Sequence, residues 1–569
     1  MSISYVNVCF LTPPFRVAPG PLAVAYEQLC ARLEDNGFAD ALWARRLEAW
    51  TSDRPTQDKI ANRLGWLTAI DAVTPHLGRM GALAGSLRDS PLTDVVLLGM
   101  GGSSLAPEVL RQVLGVARDA PRFRMLDSVD PDAVRAALAQ AATSLFVLAS
   151  KSGSTIEPNV MAAEARARVT ASGTPDWGSR FIAITDEHTA LHTLAVTERF
   201  RDVFVNPSDI GGRYSVLSLF GMVPAALMGA DVGAILARAR AMESACRGSS
   251  SRTNPGLALG AFMAAGAGSG RDKLTLLVPP RLASFGLWVE QLVAESTGKQ
   301  GKGIVPITGE SPDAPLGADR AVVAVSLGSD PPERPLDAVR ASGVPLFEID
   351  MPDVTAIGAE FLRWEIATAT AGALMRINPF DEPNVKQAKD ATRALLDSYE
   401  TTGRLPVREP HQIVHDVSLT LSAAAEEDLH GADAERFFRV VRSGDYVGLL
   451  AFLPPDADPF DAAFRRLRSS IGSARGCATM LGYGPRYLHS TGQLHKGGAN
   501  NGVFVIVTAP ADSDLAIPEQ PFSFGILAMA QALGDFESLD RASRRALHVH
   551  LPRRDVRLLE RVFDRLLEP

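Results

Sequence analysis

Apolar residues fall into distinct regimes along the chain. Over residues 1 to about 85 they recur at helical spacing among charged positions, as in Leu29, Leu33, Phe38, Leu42 and Leu47, which predicts a helical N-terminal segment. Between 86 and 250 the pattern changes to short continuous apolar runs at 95–100, 123–126, 145–149, 181–185 and 203–205, separated by helix-length stretches at 107–116, 131–142 and 157–169. A strand that is apolar at successive positions is buried on both faces, and its alternation with helices implies a parallel, doubly wound sheet. Ligands of such sheets bind beyond the carboxyl ends of the strands. Chemistry is therefore expected in the loops that leave these strands.

The theme repeats over 251–402, with strands predicted at 274–278, 322–327 and 346–349, helices at 282–295 and 359–376, and a long Gly/Pro/Asp-rich loop at 309–319. The remainder, 403–569, begins at a Pro-containing linker, TTGRLPVREP. It then mixes helices at 460–469, 524–533 and 556–567 with a strand at 503–507. The expected class is α/β: two doubly wound parallel-sheet domains, a helical N-terminal segment and an α+β C-terminal region. No low-complexity tract or short repeat interrupts this organisation.

Composition removes several function classes. The 569 residues carry 57 Lys plus Arg against 65 Asp plus Glu, a formal charge of −8, which argues against a nucleic-acid partner because that needs a basic stripe to displace counterions. Hydrophobic residues make up 46% and charged ones 21%, the balance of a packed chain rather than a disordered one. The longest apolar stretch, near 221–237, is broken by Pro224 and Asp231 and reads as a core helix, so no membrane partner is expected. The first residues lack a basic stretch, and their apolar run ends at Pro13 and Pro14, so no leader is expected either. Cys9, Cys30, Cys246 and Cys477 form no CxxC pair and read as reduced thiols of a cytoplasmic protein.

Four loops stand out. Gly99-Met100-Gly101-Gly102-Ser103-Ser104 joins a buried strand to a helix, where glycines admit a ligand and the helix N-terminus favours an anion. It is no dinucleotide fingerprint, because Ser104 stands where the last glycine belongs and no acidic residue clearly ends a suitable second strand. Ser150-Lys151-Ser152-Gly153-Ser154-Thr155 offers four hydroxyls and a lysine at a helix start. Capping alone needs one hydroxyl, whereas a phosphomonoester would use several. In Asp209-Ile210-Gly211-Gly212-Arg213-Tyr214-Ser215, Arg213 reads either as a surface salt-bridge partner or as an oxyanion clamp beside a Gly-Gly turn. Glu295, in Gln291-Leu292-Val293-Ala294-Glu295-Ser296-Thr297-Gly298-Lys299, ends a helix whose dipole disfavours its charge. That field moves a carboxyl toward general-base duty, with a solvated helix-end residue as the alternative.

The ordered series GMGGSSLAPEVL, SKSGSTIEPN, DIGGRYSVLSLFG, QLVAESTGKQGKGIVP and INPFDEPNVKQAKD resembles the phosphoglucose isomerase family. It is most similar to the isomerase half of bacterial transaldolase–phosphoglucose isomerase fusions, whose C-terminal region the segments YGPRYLHSTGQLHKGG and PFSFGILAMAQALGDFESL resemble. The resemblance implies two sugar-isomerase (SIS) domains and reversible conversion of D-glucose 6-phosphate to D-fructose 6-phosphate, in glycolysis and gluconeogenesis. It implies a cis-enediolate route without metal or organic cofactor, and it is compatible with a homodimer. Matched motif by motif, Ser150, Ser152, Ser154 and Thr155 fall on the phosphate loop, and Ser103 and Ser104 on the preceding Gly-rich loop. Arg213 falls on the arginine that stabilises the enediolate, Glu295 on the base, and Lys389 on the lysine of ring opening.

One departure stands out. The family carries a ring-opening histidine between its glutamate and lysine motifs, whereas this chain has none between His192 and His411. His495 and His489 are the candidates to replace it, and the Gly-flanked surroundings of His495 favour that residue. Other readings are an isomerase that also accepts mannose 6-phosphate, or a non-catalytic sugar-phosphate-binding SIS protein that would need neither Glu295 nor Arg213. A nicotinamide oxidoreductase would need the completed glycine fingerprint. No HExxH or Cys/His zinc set appears, and His548 and His550 lie two apart on an expected strand. With the isomerase-like portion assigned, no room is expected for a transaldolase barrel of roughly 250 residues.

Overall fold

Three β-sheets organise the chain in the computed structural model, which describes residues 12–455 and 459–568; Cys9 lies outside the described residues. The first sheet is wholly parallel, with strands in the spatial order Arg122–Leu126, Asp94–Gly99, Ser144–Ala149, Phe181–Asp186 and Asp202–Asn206. Every residue of Asp94–Gly99, Ser144–Ala149 and Phe181–Asp186 is buried, the physical origin of the continuous apolar runs. Strand order reverses between Asp94–Gly99 and Ser144–Ala149. The loops leaving those two strands therefore diverge and open a crevice at their carboxyl ends. These are the Gly-rich loop and the hydroxyl-rich loop.

The second sheet runs Phe15–Ala18, Leu346–Met351, Arg320–Leu327, Lys273–Leu277, Val305–Ile307. Its four parallel strands repeat the spatial order of the first four strands of the first sheet, so the two halves share one topology. The antiparallel edge strand Phe15–Ala18 is the exception to a helical N-terminal segment. Four residues are too short for a periodic signal, and pairing with Leu346–Met351 creates the strand, with Phe15 stacked on Phe347 at 5.2 Å. Behind this sheet the helices Pro255–Gly268 and Ile357–Met375 are buried on all faces, as central rather than surface helices are. They approach closely because Gly260 has no side chain: a Cβ there would lie 2.7 Å from the Ala367 carbonyl oxygen.

The third sheet has six strands ordered Gln412–Val414, Val417–Leu421, Arg545–His550, Gly502–Thr508, Tyr446–Phe452, Ala478–Tyr483. The last four are mutually parallel and the first two form an antiparallel hairpin on their edge. No described helix is long and apolar enough to cross a membrane. Cys30, Cys246 and Cys477 are free and buried, and burial pushes the Cys246 thiol up to about 12, so these behave as small apolar side chains.

Ion pairs fasten the third sheet's region to the first. Arg486 donates from Nε and Nη2 to the two carboxylate oxygens of buried Asp127 at 2.8 and 2.9 Å, and Arg554 pairs with Asp130 and Asp132. A two-pronged Arg–carboxylate contact fixes orientation as well as distance. Arg486 also opens the short helix Arg486–His489, so the clamp sets where His489 sits. Arg486→Ala strands the Asp127 carboxylate and is expected to lower unfolding free energy by about 3 kcal/mol, measured by urea denaturation. A loss under half of that would show that Asp127 finds other partners.

Candidate functional site

The glycines of the first crevice are there for close approach. Gly101 has φ +57°, and a Cβ on Gly102 would lie 1.9 Å from the Gly212 carbonyl oxygen, so the Gly-rich loop rests directly on the Gly211-Gly212-Arg213 turn. Ser103 and Ser104 are buried in the first turn of the helix Gly102–Leu114, where the Ser104 hydroxyl donates to the Gly101 carbonyl at 3.1 Å. In the second loop, Lys151 is held by Asp186 and by the Ser208 carbonyl. The amide and hydroxyl of Ser154 both donate to Ser152 Oγ, at 3.3 and 3.0 Å. Ser150 is buried with its hydroxyl unpartnered. Thr155 occupies the N-cap of Ile156–Ala171, yet its side chain makes no cap hydrogen bond. Pro158 has no N–H and the Glu157 amide turns to its own carboxylate, so this loop offers an anion chiefly its hydroxyls.

Arg213 and Glu295 meet on the far side of the Gly-Gly turn. Arg213 is 3% exposed, so its charge must be matched inside the protein. Its Nε donates to Ser296 Oγ at 2.9 Å, Nη2 to the carbonyls of Pro379 and Asp381 at 2.9 Å each, and Nη1 to Glu382 Oε2 at 3.0 Å. Nη1 also stands 3.1 Å from Glu295 Oε1. Glu295, buried in the last turn of Ala283–Thr297, takes a hydrogen bond on Oε2 from Gln291 at 3.2 Å. Burial pushes its carboxyl up; Arg213 opposes this and Glu382 reinforces it, so the net direction is above the ordinary range. Lys299, buried and held by the Asn378 carbonyl and Asp381, is pushed down to about 8 by burial and by Arg213. Glu290 points elsewhere, as five residues along a helix requires, and accepts from Thr308 at 2.5 Å.

A chain of contacts leads from the carboxylate pair to a histidine. Gln291 Nε2 also donates to the His489 backbone carbonyl at 2.8 Å, and His489 Nε2 lies 2.8 Å from Glu157 Oε1. Glu157 is buried and takes a second hydrogen bond from Gln531 at 2.7 Å. Burial alone would raise its carboxyl, but the contact with His489, its own backbone amide and the field of Lys389 outweigh burial and hold it below the usual range. A cleft of about 550 Å³ gathers Ser154, Thr155, Glu157, Lys389, His489 and Gln531 along its wall. Lys389 reaches it from the exposed side of Val385–Thr402.

His495 is not part of this gathering, contrary to the preference drawn from its flanking glycines. It is 1% exposed, both ring nitrogens lack a partner, and it packs against Phe504 at 4.7 Å and Tyr487 at 6.0 Å. Burial, then Lys496 and Arg544, drive its ring well below the usual range, so it stays neutral in an apolar pocket. The adjacent Lys496 is likewise committed, to buried Asp535 at 2.5 Å. His548 and His550 share the Thr508 hydroxyl, each at 2.8 Å, and no group of three or more potential metal ligands occurs among the described residues. Three residues that the motif reading passed over join the site. Glu157 and Glu382 sit inside quoted motifs, and Gln291 lies four residues before Glu295, the spacing that puts both on one helix face.

The family model described as phosphoglucose isomerase matches residues 75–308. A glucose-6-phosphate isomerase of Prochlorococcus marinus (strain MIT 9313) is 39% identical over 37% of this chain and 39% of its own length. Another, from a second strain of that species, is 36% identical over 53% and 56%. The chain thus spans about half the length of these two curated relatives. A glucose-6-phosphate isomerase of Synechococcus sp. (strain CC9902) is 30% identical over 60% of this chain and 72% of its own. Among solved structures, a glucose-6-phosphate isomerase of Chlamydia trachomatis shares the fold with TM-score 0.55 at 17% identity, covering 69% of this chain and 90% of that one.

The His489–Glu157 contact makes a signed pH prediction. A carboxyl held below its unfolded pKa stabilises the fold above that value, and the contribution fades as pH falls through the folded pKa. In His489→Ala burial dominates, the Glu157 carboxyl rises, and the variant instead loses stability as pH rises. Unfolding free energies of the two proteins should lie closest in acid, below the ordinary carboxylate range, and diverge toward neutrality by ~3 kcal/mol. A gap independent of pH would mean that Glu157 is not ionised in the folded protein.

Proposed function

The chain belongs to the phosphoglucose isomerase family, and from that premise we propose that it interconverts D-glucose 6-phosphate and D-fructose 6-phosphate through a cis-enediolate. The observation that carries this reading is the buried Glu295 carboxylate, raised in proton affinity, 3.1 Å from a buried guanidinium. A hydrogen alpha to a carbonyl is weakly acidic, so its removal needs a placed base and positive charge near the developing oxyanion. Starting from the aldose, Glu295 takes the proton from C2 as the electron pair moves onto O1; the O2 hydroxyl proton passes to O1, and the same carboxyl returns its proton to C1 as the carbonyl forms at C2. Arg213 supplies the compensating field.

The phosphate is assigned to Ser150, Ser152, Ser154 and Thr155, and Ser103 and Ser104 belong to the neighbouring wall. Anchoring the phosphate holds the reacting carbons in register with the base, which trades remote binding for orientation. Ring opening is assigned to His489 and Lys389, which share the cleft with Ser154 and Thr155. An ionised Glu157 only accepts hydrogen bonds, so it holds the proton of His489 on Nε2 and leaves Nδ1 as the basic ring nitrogen. His489 comes from the same chain as Glu295. The reading extends to a cytoplasmic enzyme of glycolysis and gluconeogenesis.

Coupled turnover of fructose 6-phosphate, with glucose and mannose 6-phosphate products resolved separately, tests the activity. Glucose 6-phosphate is the expected product, and a protein that binds the sugar phosphate without turning it over would be a sensor instead. Glu295→Gln should lower kcat by about 10²–10⁴-fold with sugar-phosphate affinity retained. His489→Ala should slow turnover of the cyclic sugar more than exchange from an open-chain analogue, whereas His495→Ala should affect both alike through packing. The reverse ranking of the two histidines would return ring opening to His495.

A further inference from the structure

Arg213 faces two carboxylates with one nitrogen. Among the described residues its hydrogen bond to a carboxylate goes to Glu382, at 3.0 Å from Nη1, while Glu295 stands 3.1 Å from the same Nη1 as an ion pair. Its remaining donors are committed to Ser296 and to the carbonyls of Pro379 and Asp381. We propose that Glu382 is a positioning residue for the isomerisation: by sharing Arg213 with Glu295, it keeps the base from being fully neutralised by the guanidinium. This rests on the isomerase reading above.

The physical argument is one of competition. A carboxylate paired alone with a buried guanidinium is held ionised, with its proton affinity lowered by about one to three pH units, and a base so held is a poor one. Glu382 takes the hydrogen bond and adds a like charge, so Glu295 keeps a cation close without surrendering its basicity. The groups facing Glu295 are few. Its own helix presents Gln291, Lys299 follows that helix, the Gly-Gly turn presents Arg213 and Tyr214, and the 378–382 loop presents Asp381 and Glu382. Lys299 is already paired with Asp381, which leaves Arg213 and Glu382 as the opposing charges nearest the base. Glu382 is also the outermost member, with its side chain 41% exposed against 3% for Arg213. It is the partner best placed to swing away when an anionic intermediate needs Nη1.

The test is Glu382→Gln, which keeps the shape and an acceptor for Arg213 while removing the charge. The acidic limb of kcat against pH reports the base, which works only when deprotonated. With the like charge gone the Glu295 carboxyl falls, so the limb should move to lower pH by about one unit, and kcat on the plateau should drop several-fold as the base weakens. The substrate's phosphate titrates identically in both proteins and cancels in the comparison. The infrared carboxyl band of Glu295, isolated by difference against Glu295→Gln in ligand-free protein, should titrate lower by the same amount. An unmoved band overturns the inference, as does an unmoved limb, even if kcat falls. A wild-type protein without isomerase activity would overturn the isomerase reading instead, and the infrared titration would still decide the coupling.

Discussion

A buried guanidinium is the constraint around which this site is built. Removing an arginine from water costs several kcal/mol unless charge and hydrogen bonds replace the solvent, and Arg213 draws those replacements from separate stretches of chain. Ser296 and Glu295 come from the end of Ala283–Thr297, and Pro379, Asp381 and Glu382 from the loop ahead of Val385–Thr402. Satisfying one cation thus brings the Glu295 carboxylate, its helix and the loop leading to Lys389 to the mouth of the first sheet's crevice. Lys299, tied to Asn378 and Asp381, reinforces the same loop.

The third sheet's region completes this arrangement. Gln493 accepts from the Asn384 amide and donates to the Gly298 carbonyl, both at 2.8 Å, and so pins the loop and the helix end to each other. Arg486 clamps the same region to Asp127 at the first sheet, and His489 is delivered between the two anchors onto Glu157. The histidine's backbone carbonyl is read by Gln291 while its ring is read by Glu157, so both ends of the residue are oriented. That leaves the residue little rotational freedom, as the ring-opening role proposed for it requires.

The two parallel sheets share one strand order but divide the labour. The first carries the hydroxyl-rich loop and the Gly-rich loop at its order reversal. The second carries the helix whose last turn holds Glu295, and it is braced by the fully buried helices Pro255–Gly268 and Ile357–Met375. A carboxylate mounted on a helix packed on all sides is held more firmly than one on a surface loop, and the glycine at 102 lets the Gly-rich loop close to backbone contact with the turn that carries Arg213.

Much of this was legible in the amino-acid order. Continuous apolar runs identified the strands of the first sheet, because burial on both faces leaves no polar alternation, and glycine and hydroxyl clusters marked the loops beyond them. Arg213, Glu295 and the 150–155 loop stand in local motifs, which is why the sequence alone singles them out as candidates. The strand Phe15–Ala18 was not legible, because four residues become a strand only through their pairing partner. Nor was the choice between His489 and His495, which share one short stretch of chain and similar company. Local sequence ranks residues by their neighbours in the chain, and here it preferred the one flanked by glycines. Only the packed structure buries His495 against Phe504 and turns His489 toward a carboxylate 332 positions away. The sharing of Arg213 between Glu295 and Glu382 belongs to the same class: charge balance in a buried site is a property of the assembled fold, because the dielectric and the partners that set it exist only once distant segments have met.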